Sequence, residues 1–189
     1  MTAKPVEQQK YTVDDLLSMP DDGKRYELIE GEIVEVGTSS QKHSILGAWL
    51  VFMLLLHIKT NKLGGRVSGA DGTYRLDEDN TKTPDVSYLT ATSAAKVPPG
   101  SVYCPFAPDF AIEIKSPRDS GAYLRRLAAL YMRTGTQLLW VIDPDDKTVT
   151  VYRPGQLAIE LTEGALYASD VIPGFTLALV EMFAQIENL

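Results

Sequence analysis

The stretch DFAIEIKSP, residues 109–117, decides how this chain is read. It has the apolar content of a short buried strand, yet Glu113 and Lys115 stand two positions apart in its middle. Residues two apart in a strand share a face, so Glu113 and Lys115 fall on one side and Ile112 and Ile114 on the other. TPDVSYL (83–89) precedes the stretch and QLLWVID (137–143) follows it. The second is a continuous apolar run, as expected of a strand covered on both faces. A strand between two such neighbours is central, and a central strand carries charge where a cleft opens onto it. The plain structural alternative is a wet second face with a surface Glu–Lys pair worth well under ~1 kcal/mol.

Working outward, Thr12 followed by Asp15 resembles a capping box for a short helix closed by Pro20. RYELIEGEIVEV (25–36) predicts a hairpin turning at Glu30-Gly31. Ser39 or Ser40 caps a long helix to about Thr60, with Ile45, Trp49, Phe52, Met53 and Leu56 at helical spacing. GGRVSGADGTYRL (64–76) reads as a strand or hairpin, DEDNTKT (77–83) as a polar turn, residues 84–90 as a strand and ATSAAKVPPGS (91–101) as a loop. An amphipathic helix follows over about 119–134, with Leu124, Leu127, Ala128 and Tyr131 on one face. The strand 137–143 turns through PDDK into TVTVYRP; LAIEL is a further strand and LALVEMFAQIE a final helix. Residues 1–10 read as a flexible leader and 11–189 as one α/β domain.

The chain has 189 residues, one cysteine and a formal net charge of −7. A single cysteine excludes a disulfide framework or a thiolate metal site and fits a reducing, cytoplasmic setting. The N-terminal residues lack the apolar core of a secretory signal. The apolar run 46–58 is too short to span a bilayer, so a core helix and no membrane partner are expected. The acidic balance argues against broad, non-specific nucleic-acid binding. A local basic surface remains, because residues 115–133 hold Lys115, Arg118, Arg125, Arg126 and Arg133 against the single acid Asp119.

Asp85, at the start of a strand that can pair alongside, offers Glu113 a partner. Carboxylates from adjacent strands approach closely enough to share a divalent cation, and Mg²⁺ uses one or two carboxylates with water and substrate oxygens filling the rest. The ion polarises a phosphoryl oxygen or acidifies bound water, and a lysine adds charge where the transition state becomes negative. Asp109 is set aside: four residues of extended strand put it about 13 Å from Glu113 at ~3.3 Å each.

Pro84-Asp85 with Glu113-Ile114-Lys115 downstream resembles the PD-(D/E)XK nuclease signature. RYELIEGEIVEV, His43 opening a helix, TPDVSYL, DFAIEIKSPRDS, ALYMRTGTQLLWVIDPDDKTVTVYRPG and VIPGFTLAL follow the order of the Uma family of restriction endonucleases, over about residues 11–183. The resemblance implies a restriction-endonuclease-like core, a mixed sheet flanked by helices with an N-terminal hairpin, that hydrolyses DNA, with Asp85 and Glu113 as Mg²⁺ (or Mn²⁺) ligands and Lys115 as the catalytic lysine. The chain departs from the family at Leu127, where many members place a lysine four residues before the tyrosine that matches Tyr131.

His43 opens the helix that in this superfamily often offers an accessory acid, so it is a candidate aid to the metal or substrate; a half-exposed helix-start histidine is the alternative. Glu30 and Glu32, around the hairpin turn, are candidates to reach the site; the alternative is that they simply flank the turn. Arg118, Arg125 and Arg126 are candidate nucleic-acid contacts. His57, ~21 Å further along the helix, is structural; Trp49 and Trp140 are core residues, and Asp143 is a turn residue. Cutting both strands of a duplex takes two sites, which a homodimer would supply. The rival to a nuclease is a catalytically silent module that binds nucleic acid or protein.

Overall fold

The computed structural model describes residues 10–187 and 189. Residues 1–9, most of the expected leader, lie outside the described residues. Thr12 and Asp15 exchange the two hydrogen bonds of a capping box at the head of α1 (Val13–Leu17). Strands β1 (Tyr26–Ile29) and β2 (Glu32–Glu35) then form the expected hairpin, Ile29 facing Glu32 across the turn. Glu30 and Gly31 both have positive φ, 52° and 82°, as the tight turn that matches strand twist requires.

Helix α2 (Gln41–Thr60) is capped by Ser40, whose Oγ accepts from the His43 N–H. Next come β3 (Arg66–Gly69), β4 (Tyr74–Arg75), β5 (Thr81–Lys82), β6 (Val86–Leu89), α3 (Ala91–Ala94), β7 (Phe110–Ile114), α4 (Gly121–Arg133), β8 (Leu138–Asp143) and β9 (Thr148–Tyr152). The order closes with β10 (Ile159–Leu161), β11 (Ala165–Tyr167), β12 (Thr176–Ala178) and α5 (Leu179–Ala184). Six strands make the main sheet in the order β10-β9-β8-β7-β6-β3. Only β7 and β8 run parallel, joined through α4, since a parallel pair needs a crossover. The stretch 109–117 thus supplies a central strand, as its apolar neighbours imply.

Strand alternation divides the core between the two faces of this sheet. Phe110, Ile112 and Ile114 of β7, with Leu138, Trp140 and Ile142 of β8, pack against α2 and the C-terminal segment. Ala111, Leu139 and Val141 pack on the other side against Leu124, Leu127, Ala128 and Tyr131 of α4. The α4 residues are those expected from its amphipathic spacing.

Helix α2 departs from expectation. Its buried residues are Leu46, Leu50, Leu54 and Ile58, whereas Phe52 is 57% exposed and Leu56 is also exposed. The run is apolar on every side, so periodicity does not identify the stripe that meets the sheet. Over its full 20 residues the helix has the length and hydropathy of a bilayer span, more than the shorter run 46–58 implied. In the fold one stripe packs on the sheet.

Three further segments differ from their sequence reading. Residues 64–76 divide between β3, an edge of the main sheet, and β4, which pairs with β5. DEDNTKT is therefore a turn followed by a strand. The stretch 91–101 contains the short helix α3, and the final helix starts at Leu179 because Thr176–Ala178 pair with β11. The C-terminal chain then returns to the core through Met182 and Phe183.

The burial pattern of α2 has a direct consequence. Leu54→Ala is expected to cost about 2–5 kcal/mol of stability through lost transfer energy and a residual cavity. Phe52→Ala should change stability by roughly 0.5 kcal/mol or less. Urea denaturation of both variants checks the contrast, and equal losses would contradict the assignment of the buried stripe.

Candidate functional site

The antiparallel register of β6 and β7 pairs Val86 with Ile112. Extending it by one residue places Asp85 opposite Glu113, on the α4 side of the sheet. Asp85 is held there by two contacts. Its Oδ2 accepts the Ile114 N–H at 2.7 Å and lies 3.0 Å from Nε2 of His43, in the first turn of α2. Helix α2 therefore reaches the carboxylates from the far side of the sheet through its N-terminal histidine, which is buried.

Glu113 is only 9% exposed. Its Oε1 accepts from the hydroxyl of Tyr131 at 2.5 Å. Alternation of the strand turns Glu113 toward α4, and the helical period brings Tyr131 back over it. Burial pushes the Glu113 carboxyl up to about 8, against the opposing pull of Lys82 and the Tyr131 hydrogen bond, with Asp85 and Glu27 adding to the rise. Tyr131 itself is driven well above the ordinary phenol range, first by burial and then by the negative charge of Glu113.

Two charged residues that the sequence reading did not select complete the cluster. Glu27 of β1 and Lys82 of β5 form a buried ion pair, Nζ to Oε2 2.6 Å, each side chain 7% exposed. The other Glu27 oxygen accepts the Thr83 N–H at 2.9 Å, and the Leu28 N–H donates to Thr81 Oγ1 at 2.9 Å. The residues flanking Lys82 are thus bonded to β1. Burial alone would pull the Lys82 ammonium down, but Glu113 and Glu27 outweigh it and the net shift is upward. Lys82 was hidden within an apparently polar turn. The capacity of Thr81 and Lys82 to extend the β4 pairing was its only local signal.

Glu27, His43, Lys82, Asp85, Glu113 and Arg118 all border one cleft of about 780 Å³, walled by the β1–β2 hairpin, the 36–40 segment and the loop 116–119. Lys115 does not border it. The strand ends at Ile114, and Lys115 Nζ pairs with the Asp143 carboxylate at the end of β8, the neighbour on the side away from Asp85. That hydrogen bond raises the lysine against the opposing effect of burial. Burial would raise Asp143, but Lys115 and the Asp146 and Asp145 N–H groups hold it below its usual range. Asp143 is thus both a turn residue, accepting those two N–H groups, and the partner of Lys115.

Glu30, expected near the site, borders a separate recess of about 390 Å³ with Asp77, Asp79, Asn80 and Arg133, because the turn carries it past the end of the hairpin. Glu32 does not border the main cleft either. Arg125 and Arg126 are exposed on α4 outside the cleft. Asp109 is occupied as expected of a residue set aside: it accepts from Thr90 N–H and Ser93 Oγ at the head of α3. His57 lies 3.0 Å from the Pro173 carbonyl, a structural contact.

Among the described residues, Asp85 hydrogen-bonds only through Oδ2 and Glu113 only through Oε1. Oδ1 and Oε2 therefore remain without a protein partner. Two facing carboxylates, each with one oxygen to spare, fit a hard divalent cation, which takes one or two carboxylates and completes its shell with water and substrate. No group of three His, Cys, Asp or Glu side chains among the described residues is arranged as an all-protein cage.

Glu113 makes stability pH-dependent. It binds its proton more tightly folded than unfolded, so its contribution is fully present below its ordinary value of 4.5 and is lost as pH rises through about 8. Glu113→Gln, which stays neutral, is expected to flatten this decline. Chemical denaturation on both sides of the window should show the variant gaining on the parent protein at the alkaline end.

The fold and the cleft can be set beside known proteins. No curated protein matches the chain. A crystal structure described as "a putative nuclease belonging to DUF820" from Anabaena variabilis ATCC 29413 superposes with a TM-score of 0.80 at 25% identity, covering 93% of this chain and 98% of that one. The sequence profile of Uma2, described as "Putative restriction endonuclease", matches residues 13–180. With most of its length matched by that profile, the chain belongs to the Uma2 family of putative restriction endonucleases.

Proposed function

We propose that the protein is a divalent-cation-dependent endonuclease that hydrolyses phosphodiester bonds of DNA. The observation that carries this reading is the pair Asp85 and Glu113, facing each other at the start of β6 and near the end of β7 on the border of a cleft, each with an oxygen to spare. Asp85 and Glu113 would hold Mg²⁺ or Mn²⁺, which supplies charge neutralisation and Lewis-acid polarisation of a phosphoryl oxygen.

The protein's own groups do the rest. His43 and the Ile114 N–H fix the Asp85 carboxylate, and Tyr131 fixes that of Glu113, so neither must reorganise when substrate arrives. Arg118, exposed on the rim, offers a phosphate a charge-assisted contact. In the reaction a water oxygen bonds to phosphorus, one ester P–O bond breaks, and the proton lost by water is balanced by one gained on the leaving oxygen. The cleft carries Glu27, Glu35, Asp85, Glu113 and Asp119 against Lys82 and Arg118. Such an excess of acid repels a polyanion until a cation is bound, which favours metal dependence.

The silent binding module remains the rival, and the net charge of −7 is the observation on its side only if its partner is a protein. Plasmid and single-stranded DNA incubated with Mg²⁺, Mn²⁺ or chelator discriminate between them. Cleavage is expected with either metal and not with chelator, and Asp85→Asn should lower it by at least about 100-fold, the scale of several kcal/mol of lost charge stabilisation. Equal cleavage by Asp85→Asn, or none by the parent protein with either metal, would overturn the reading.

A further inference from the structure

We propose that Lys82, not Lys115, is the catalytic lysine of this cleft, its ammonium contacting a non-bridging oxygen of the scissile phosphate. The inference rests on the reading of the site as a metal-dependent nuclease and adds the source of its positive charge. The two lysines occupy different environments. Lys115 is 30% exposed, is bound to Asp143, and lies outside the cleft. Lys82 borders the cleft with Asp85 and Glu113.

An ammonium has three donors. In Lys82 one goes to Glu27 Oε2 at 2.6 Å and another to the Tyr123 hydroxyl at 3.4 Å. The third has no partner among the described residues, and the Tyr123 contact is long enough to yield to a stronger acceptor. A phosphate oxygen is such an acceptor, and a charge-assisted bond to it is short and strong.

The ammonium is also held rigidly. Thr81 and Thr83, on either side of it, are bonded to Leu28 and Glu27 of β1. Such preorganisation lets a charge stabilise a transition state without rearranging. A purely structural pair would do as well, or better, as two apolar side chains of similar volume. That difference separates the two roles. In the proposed role Lys82 stays protonated throughout and no bond to it forms or breaks.

The test uses the full chain and four variants: Lys82→Met, the double variant Glu27→Met with Lys82→Met, Lys115→Met and Asp85→Asn. The double variant replaces the ion pair by apolar volume, so it remains informative if Lys82→Met alone leaves Glu27 unpaired and unfolds the protein; circular dichroism reports folding. Mn²⁺-dependent plasmid cleavage is measured alongside Mn²⁺ binding by calorimetry and anisotropy of a fluorescent phosphorothioate oligonucleotide in Mn²⁺. Expected is a roughly 100-fold or greater loss of cleavage in every folded variant lacking Lys82. Those variants should retain Mn²⁺ binding but hold the oligonucleotide more weakly, while Lys115→Met stays close to the parent in all three readouts.

Loss of cleavage in Lys115→Met, with parental cleavage and oligonucleotide binding in the folded double variant, would overturn the assignment and leave the nuclease reading intact. Parent protein that neither binds Mn²⁺ nor cuts would remove both. Mn²⁺ binding and cleavage unaffected by Asp85→Asn would remove the metal site on its own.

Discussion

A carboxylate buried in the middle of a six-stranded sheet is the constraint on which the rest of this structure depends. Glu113 sits where its neighbours along β7 are apolar and little of it is exposed, so water alone does not solvate an ionised carboxylate there. Partners must therefore come from elsewhere in the chain. Helix α4 brings Tyr131, β5 brings Lys82, and β1 brings Glu27 to balance Lys82. The N-terminal hairpin, the β4–β5 ribbon and the crossover helix thus meet around one buried carboxyl. The opposite face of the same strand, Ile112 and Ile114, joins a core without charged side chains.

The asymmetry between the two sheet faces gives the molecule one side closed over by apolar groups and one side that opens onto the charged cleft. Against α2 and the C-terminal segment, side chains such as Leu50, Phe110 and Phe175 exclude water without polar partners to satisfy. Around the cleft the acids outnumber the bases, and the shortage of positive charge is local and specific. In the proposed nuclease reading, a cation supplied by solution would meet that shortage. The net charge of −7 argues against a broad basic surface, so in the proposed reading a polyanion would be met through this one recess.

Much of the architecture was legible in the sequence because the relevant signals are local. Positive φ at Glu30-Gly31, the Thr12–Asp15 capping box and the apolar stripe of α4 each depend on residues a few positions apart. The strand identity of residues 110–114 and 138–143 follows from runs too apolar to be exposed. The facing stripe of α2 was not legible, since a helix apolar on all sides offers the sheet several equivalent choices. The strand Thr81–Lys82 was equally obscure, because a two-residue strand owes its existence to its partner rather than to its own composition.

At the site, the sequence by itself determined that Glu113 stands within a strand and Asp85 near the start of another that can pair with it, because periodicity and apolar content act within each segment; the pairing itself is tertiary. It also brought His43 into view at the head of a helix. Only the tertiary structure decided which ammonium accompanies those carboxylates. Lys115 follows Glu113 by two positions, but β7 ends at Ile114 and Asp143 of the next strand claims its charge. Lys82 and Glu27 are 55 positions apart and meet only when two separate hairpins dock. Spacing along a chain sets the direction in which a side chain leaves the backbone; its partner is chosen by whichever opposite charge folding leaves within reach in a medium where an unpaired ion is costly.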